Sequence, residues 1–314
     1  MMRGRVRRAA GWSAPALAAF LIAVGAYNRD VLAPSDPLDS PTVVAVLAAP
    51  SPEPPQTPTP IRPPLVLVAG AAWPGPRDLA ILMYHHVNSA PPPSDLDARL
   101  TVTDADFARQ LSYLRCAGYY SITLSQLFDA IYDGAPLPEK PVILTFDDGH
   151  LDAYANAFPL LQEAGFGAAF SIVTGWVGQP ASANWEQLQQ MAAAGMEIAS
   201  HSVSHPDFGK NSDDVVRDQL DRSKRELEEK LGQPVSFFVY PAGEPFRFGT
   251  PQRQAQVMAI VQEAGYRGAV TARWNIQQDP AHPFALSRVR VSGGVDIQNF
   301  ARNMGGPSPD AIGC

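Results

Sequence analysis

From residue 78 onward, short apolar runs alternate with stretches whose apolar residues recur every three or four positions. Leu79-Ala80-Ile81-Leu82-Met83-Tyr84 is apolar almost throughout, as a strand buried on both faces must be. The same texture returns at 141–146, 168–173, 196–200, 236–240, 268–271 and 285–291. Between the first two runs, Phe107, Leu111 and Leu114 fall on one face of a helix expected over 104–117, with Asp104 as its cap. Further helices are expected over 153–164, 185–194, 215–231, 254–264 and 296–304. Gly165, Gly195, Gly232 and Gly265 stand where four of them should stop. Strands buried on both faces and separated by helices imply a parallel sheet covered by helices. About seven such units favour a distorted (β/α) barrel, with an open doubly wound sheet as the alternative. Either architecture puts its functional groups at the C-terminal ends of the strands.

Upstream the pattern changes. Arg3, Arg5, Arg7 and Arg8 precede an uncharged stretch from Ala9 to Asn28, with Leu17, Phe20, Leu21, Ile22 and Val24 at its centre. A basic segment followed by an apolar one is the mark of an export signal, and the run also approaches the ~20 residues that span a bilayer. Residues 1–33 are therefore expected to be a signal peptide cleaved near Ala33, or a membrane anchor with its basic end in the cytoplasm. Pro50, Pro52, Pro54, Pro55, Pro58, Pro60, Pro63 and Pro64 mark a segment that cannot build a core. Residues 34–77 are expected as a Pro-rich disordered linker, 78–304 as the folded domain and 305–314 as a flexible tail. The expected destination is the periplasm, the cell surface or the medium.

Composition adds three points. Hydrophobic residues make up 46% of the chain, ample for a core. The formal net charge of −7 argues against a nucleic-acid partner, which needs a basic face. Export permits a disulfide between Cys116 and Cys314. Cys116, however, lies inside a helical pattern and reads there as a small buried side chain.

Four polar clusters fall at expected strand ends. Thr145-Phe146-Asp147-Asp148-Gly149 closes one strand with adjacent carboxylates, whose repulsion calls for a cation or strong donors. A helix cap and a turn aspartate would also explain that pair. His201-Ser202-Val203-Ser204-His205 closes another; two histidines four apart on one turn of helix point the same way and suit one metal ion. With Asp148 they make a set of two nitrogens and one oxygen that leaves positions open for water and substrate. Asp147 is then free to act as a base. Tyr240-Pro241-Ala242-Gly243 offers backbone N–H groups for an oxyanion, though a plain loop explains it equally well. In Tyr84-His85-His86 only one histidine can face the site, because neighbours on a strand point opposite ways. That one is placed to protonate a leaving amine. His150 is expected to line the cleft, and His282 to be inert in its loop.

Thr145-Phe146-Asp147-Asp148-Gly149, His201-Ser202-Val203-Ser204-His205-Pro206 and Tyr240-Pro241-Ala242-Gly243, in this order and spacing, resemble the polysaccharide deacetylase family, carbohydrate esterase family 4. The resemblance implies a distorted β/α barrel over 78–304 with a divalent metal, zinc before cobalt or nickel. Asp147 would be the base, Asp148, His201 and His205 the ligands, and the Ala242 N–H an oxyanion donor. The early Tyr84-His85 is similar to the permuted subgroup that includes biofilm poly-N-acetylglucosamine deacetylases, which suggests His85 as the acid. Either Arg288 or Arg290 would pair with Asp147, Arg288 being preferred, and Tyr240, His150 and Trp185 would contact the sugar. The implied partner is an acetylated polysaccharide, met by a monomer that touches a membrane only if its N-terminal segment is retained. The alternatives are an O-acetyl esterase on a polymer such as xylan, and a non-catalytic carbohydrate-binding protein.

Overall fold

The computed structural model describes residues 67–68, 73, 75–90 and 94–314. The chain divides into two units, Met1–Thr59 and Pro60–Cys314, the first of which lies outside the described residues. So do the expected signal or anchor over 1–33 and most of the expected linker over 34–77. Among the described residues no helix is long and apolar enough to cross a membrane.

Eight parallel strands form the central sheet: β1 (Ala80–Tyr84), β2 (Tyr120–Ser121), β3 (Pro141–Phe146), β4 (Ala169–Ile172), β5 (Glu197–Ser200), β6 (Phe237–Val239), β7 (Gly268–Val270) and β8 (Val289–Arg290). Their order is β7-β6-β5-β4-β3-β1-β8, with the short β2 pairing with β3. The helices are α1 (Asp95–Leu100), α2 (Asp104–Cys116), α3 (Leu124–Asp133), α4 (Phe158–Ala164), α5 (Trp185–Ala193), α6 (Asp213–Leu231), α7 (Pro251–Glu263), α8 (Ile297–Asn303) and α9 (Pro309–Ile312).

Strand alternation divides the apolar residues between two clusters. Leu82 and Tyr84, Val142, Leu144 and Phe146, and Phe170 and Ile172 belong to the larger one, with Leu111 of α2, Leu220 of α6 and Val257 of α7. Their sequence neighbours Leu79, Ile81, Ile143, Ala169, Ala199 and Val239 belong to the second, with Leu124, Leu127 and Phe128 of α3. Helix α3 thus fills the inner side of the curled sheet. Sequence reading passed over it, although Thr123 and Gln126 form a capping box at its start. The packing is close: a Cβ on Gly268 would lie 2.0 Å from the Phe128 ring.

The seam of the sheet explains why the expected strand over 285–291 shrinks to two residues. Leu286 bridges Val270 of β7, whereas Val289 pairs with Leu82 of β1. The segment therefore leaves one edge and joins the other. Buried Gln278 occupies the gap: its Nε2 donates to Leu79 O at 3.0 Å and Ser287 O at 3.1 Å, and its Oε1 accepts from Ser287 N at 3.0 Å.

Two other expectations change. The helix expected over 153–164 opens with a π-helical turn, Ala153–Ala157, before α4. The tail expected to be flexible, 305–314, is instead tied down. Tyr113 Oη donates to Pro307 O at 2.8 Å, and Cys314 forms a disulfide with Cys116 across 198 residues of sequence. A tail fixed to α2 needs a cysteine on that helix, so Cys116 is more than a small side chain. Closing so long a loop removes chain entropy from the unfolded state worth up to about 5 kcal/mol. Cys116→Ser should therefore lower the denaturation midpoint, and the unfolded wild type should titrate no free thiol. An unchanged midpoint would show that the bridge contributes nothing.

Candidate active site

On the inner face of the sheet, residues that are apolar at the base become polar toward the strand ends. The progression is Ile143, Thr145, Asp147 from β3; Ala169, Ser171 on β4; Ala199, His201 from β5; Ile81, Met83, His85 from β1; and Leu286, Arg288, Arg290 on the closing segment. A period of two therefore carries each strand from core to chemistry without a change of face.

Asp147 is 3% exposed and Arg288 1%. The guanidinium grips the carboxylate with both arms, Nη1 to Oδ1 at 2.7 Å and Nη2 to Oδ2 at 2.8 Å. Its Nη1 also reaches Thr145 Oγ1 at 3.0 Å, and its Nε donates to Thr271 O at 2.8 Å. Ser171 Oγ donates to Asp147 Oδ1 at 2.8 Å. Burial alone would raise the Asp147 pKa; Arg288, His201 and His85 outweigh it and hold the carboxyl well below the usual range. Of the two arginines considered for this contact, the structure selects Arg288.

Asp148 turns the other way, in the left-handed region at φ 74°. Its buried Oδ1 has no hydrogen-bond partner, yet lies 3.3 Å from His201 Nε2 and 3.5 Å from His205 Nε2. The ligand atoms of the three residues fall within 4.8 Å of one another. Ligands of a tetrahedral cation with bonds of about 2.0–2.2 Å lie about 3.4 Å apart. His201 Nδ1 is 2.7 Å from Val239 O, so that nitrogen donates there and Nε2 keeps its lone pair for the site. An orphaned carboxylate oxygen between two imidazole nitrogens fits a divalent cation, and the donor set suits zinc.

The histidine pair does not lie on a helical turn as expected. Residues 201–205 form a loop in which Ser202 (φ 70°) and His205 (φ 56°) are left-handed. Gln219, reaching from α6, accepts from Val203 N at 3.0 Å and Ser204 N at 2.9 Å, while Ser202 Oγ accepts from His205 N at 3.0 Å. These bonds supply what a helix would have provided. Sequence reasoning missed Gln219. It also missed Ser171, whose signal was a hydroxyl on the inner face of a buried strand.

His85 Nε2 lies 4.0 Å from Asp147 Oδ2. Burial pushes its pKa down to about 4, and Arg288 and Arg290 add to that effect against Asp147 and Asp148. His86 faces the other way, as alternation requires, with Nδ1 2.9 Å from Asp152 Oδ2. Its ring stacks at 3.8 Å on His150, whose Nε2 is 3.3 Å from Asp148 Oδ2. His150 thus braces the carboxylate.

Other expected contacts separate. Ala242 is exposed and left-handed at φ 53°. Tyr240 is 0% exposed, its hydroxyl donating to Phe284 O at 3.0 Å; it sits on the outer parity of its strand and cannot touch a polymer. Trp185 packs, partly buried, against the outer apolar cluster. The indole beside the histidines is that of Trp176, stacked 5.6 Å from the His205 ring. His282 lies exposed in its loop, near Asp279.

A curled parallel sheet that gathers a paired carboxylate and an Asp–His–His set at its strand ends has the architecture of a hydrolase. Comparison agrees. Residues 134–269 match the polysaccharide deacetylase family. YxkH of Bacillus subtilis (strain 168), named for the same family, is 26% identical over 225 residues, 72% of this chain and 75% of that one. The poly-β-1,6-N-acetyl-D-glucosamine N-deacetylase of Escherichia coli (strain K12) is 33% identical over 153 residues, which span 43% of this chain and only 22% of that protein. The Streptococcus pyogenes deacetylase PplD, solved with acetate, superposes with a TM-score of 0.65 at 28% identity, covering 73% of this chain and 99% of that one. Residues 134–269 thus carry a polysaccharide deacetylase domain, and over most of its folded part the chain is similar to hydrolases of that family.

Arg288→Ala leaves a buried carboxylate unpaired, which should cost about 3–5 kcal/mol at neutral pH. Because the folded Asp147 pKa is depressed, its pairing stabilises the protein above the ordinary carboxylate pKa of about 4 and is lost as pH falls. The gap between wild type and variant in denaturant titrations should accordingly narrow below about pH 4. A constant gap would mean that the lost stability lies in Arg288 packing rather than in the ion pair.

Proposed function

We propose that this domain removes acetyl groups from N-acetylated sugars of a polysaccharide outside the cytoplasm, with a divalent cation, most simply zinc, held by Asp148, His201 and His205. The reading rests on one observation: a buried carboxylate held by arginine stands beside a separate Asp–His–His set, so base and ligands are different groups. The name of the Escherichia coli relative, a poly-β-1,6-N-acetyl-D-glucosamine N-deacetylase, supports an N-acetylated polymer as substrate. The complete ligand set disfavours a non-catalytic binding protein.

When bound, the cation polarises the acetyl carbonyl and acidifies water, which a base as weak as Asp147 requires. Asp147 takes the proton of the water that attacks the carbonyl carbon. Arg288 and Ser171 fix the plane of that carboxylate before the substrate arrives. Ala242, left-handed at φ 53°, would offer its backbone N–H to the developing oxyanion. His85 hands a proton to the sugar nitrogen as the C–N bond breaks and acetate departs. Burial keeps His85 neutral beforehand, so the proton it delivers is the one Asp147 collected, 4.0 Å away.

Asp147→Asn should lower acetate release at least ~100-fold while the purified protein still binds one zinc ion by elemental analysis. Loss of the metal as well would make Asp147 a ligand and overturn the division of roles. The substrate panel comprises β-1,6-linked N-acetylglucosamine oligomers, chitin oligomers, peptidoglycan and acetylated xylan. On it, His85→Ala should slow amide substrates by about 100-fold or more. Esters should lose much less, because an alkoxide leaves more readily than an amine anion. Equal losses on both would remove His85 from the acid role.

A further inference from the structure

The proposed site opens through a rim of arginines in a chain whose net charge is −7. Arg290 follows Arg288 by two residues and shares its face of the strand, while Val289 and Val291 between and beyond them belong to the outer cluster. Arg288 points at Asp147, so Arg290 stands one step further out toward solvent, its guanidinium half-buried near Asp147 and His85. Helix α1 brings Arg99 to the same place: Gly293 N, just after β8, donates to Arg99 O at 3.3 Å. A Cβ on Gly293 would lie 2.2 Å from the carbonyls of Ala98 and Thr101, so the contact is close. Arg247 comes from the loop after β6, the loop that also carries Ala242. Arg247 and Arg99 both lie near enough to depress the Arg290 guanidinium, behind the larger effect of its burial.

None of the three arginines has an acidic partner among the described ion pairs. The Arg247 guanidinium instead rests 5.0 Å over the ring of Phe248, which is 81% exposed. The nearest acid in the site, Asp147, has both oxygens occupied by Arg288. Three like charges brought together at the strand ends and left without an ion pair repel one another, and an anion arriving there relieves the repulsion. A neutral N-acetylglucosamine chain brings no such group, and a partly deacetylated one brings ammonium groups that the rim repels.

We propose that the substrate polymer carries an acidic group, carboxylate or phosphate, beside the acetylated sugar, and that Arg99, Arg247 and Arg290 receive it. This rests on the deacetylase reading above. Planar guanidinium groups favour these oxyanions through paired N–H donors.

The test compares acetate release from neutral N-acetylglucosamine oligomers with that from oligomers of equal length whose alternate sugars bear a lactyl carboxylate or a phosphate. Wild type should favour an anionic series by about tenfold or more in kcat/KM at low salt, and the preference should shrink as salt is added. Arg247→Gln/Arg290→Gln should bring the ratio close to one, mainly through KM, and Arg247→Lys/Arg290→Lys should keep most of it. Preference for one anionic series over the other assigns the group. A wild-type ratio of one or less, or a ratio untouched in the glutamine variant, overturns the proposal while leaving the deacetylase reading intact. If no oligomer releases acetate, that reading fails instead, and calorimetric binding of the same oligomers to wild type and variant still decides the charge preference.

Discussion

Taking a carboxylate and a guanidinium out of water costs several kcal/mol for each before their attraction returns anything. Asp147 and Arg288 are both almost wholly buried, so the pair depends on further hydrogen bonds around it. Thr145, Thr271 and Ser171 supply them. These partners come from β3, from the end of β7 and from β4, and the guanidinium itself sits on the segment that crosses the seam between β7 and β1. The guanidinium that holds the carboxylate therefore also ties the two edges of the sheet together.

The price of the arrangement appears in the backbone. Asp148, Ser202, His205 and Ala242 are the non-glycine residues at positive φ among the described residues, and all four belong to the three motifs at the strand ends. Each such conformation costs on the order of 1 kcal/mol and persists only where surrounding bonds over-determine it. Gln219 and the Ser202 hydroxyl do this for the histidine loop. At Asp148 the turn has a direct consequence. The chain reverses its parity there, so adjacent carboxylates point at different partners, one at Arg288 and the other at the histidines.

Much of this was legible in the sequence because the strands are short and their alternation is strict. Runs such as Val142-Ile143-Leu144 marked the sheet, and polar residues just after them marked the site. The errors share a cause: periodicity reports which way a side chain faces only while the element continues. His201 and His205 were placed on a helix because their spacing suits one, but left-handed residues and a glutamine from α6 produce the same convergence in a loop. The family resemblance implied Tyr240 as a sugar contact, yet its parity sends it into the outer core. Leu124, Leu127 and Phe128 carried a helical period, but the helix packs inside the sheet rather than on its outside, which no local pattern announces. The Cys116–Cys314 bridge joins points 198 residues apart, a distance over which spacing has no meaning.

The chain supplies the site in two parts. The residues matched to the family, 134–269, carry Asp147, Asp148, His201, His205 and Ala242. His85, Arg288 and Arg290 fall outside that span, near opposite ends of the domain, and meet because β1 and β8 are neighbours in the sheet. On the proposed reading, one part would hold the groups that a cation and an attacking water need, and the other the group that protonates the leaving sugar. Physical demands on the two differ. Ligands tolerate displacements of tenths of an ångström at most, whereas a charged rim acts over several ångströms through the field and tolerates rearrangement. Arg288 is the joint between them, since its guanidinium holds Asp147 and its backbone leads directly to Arg290. On the proposed reading, the rim formed by Arg99, Arg247 and Arg290 could therefore change without disturbing the ligand set, provided that Arg288 itself stays where it is.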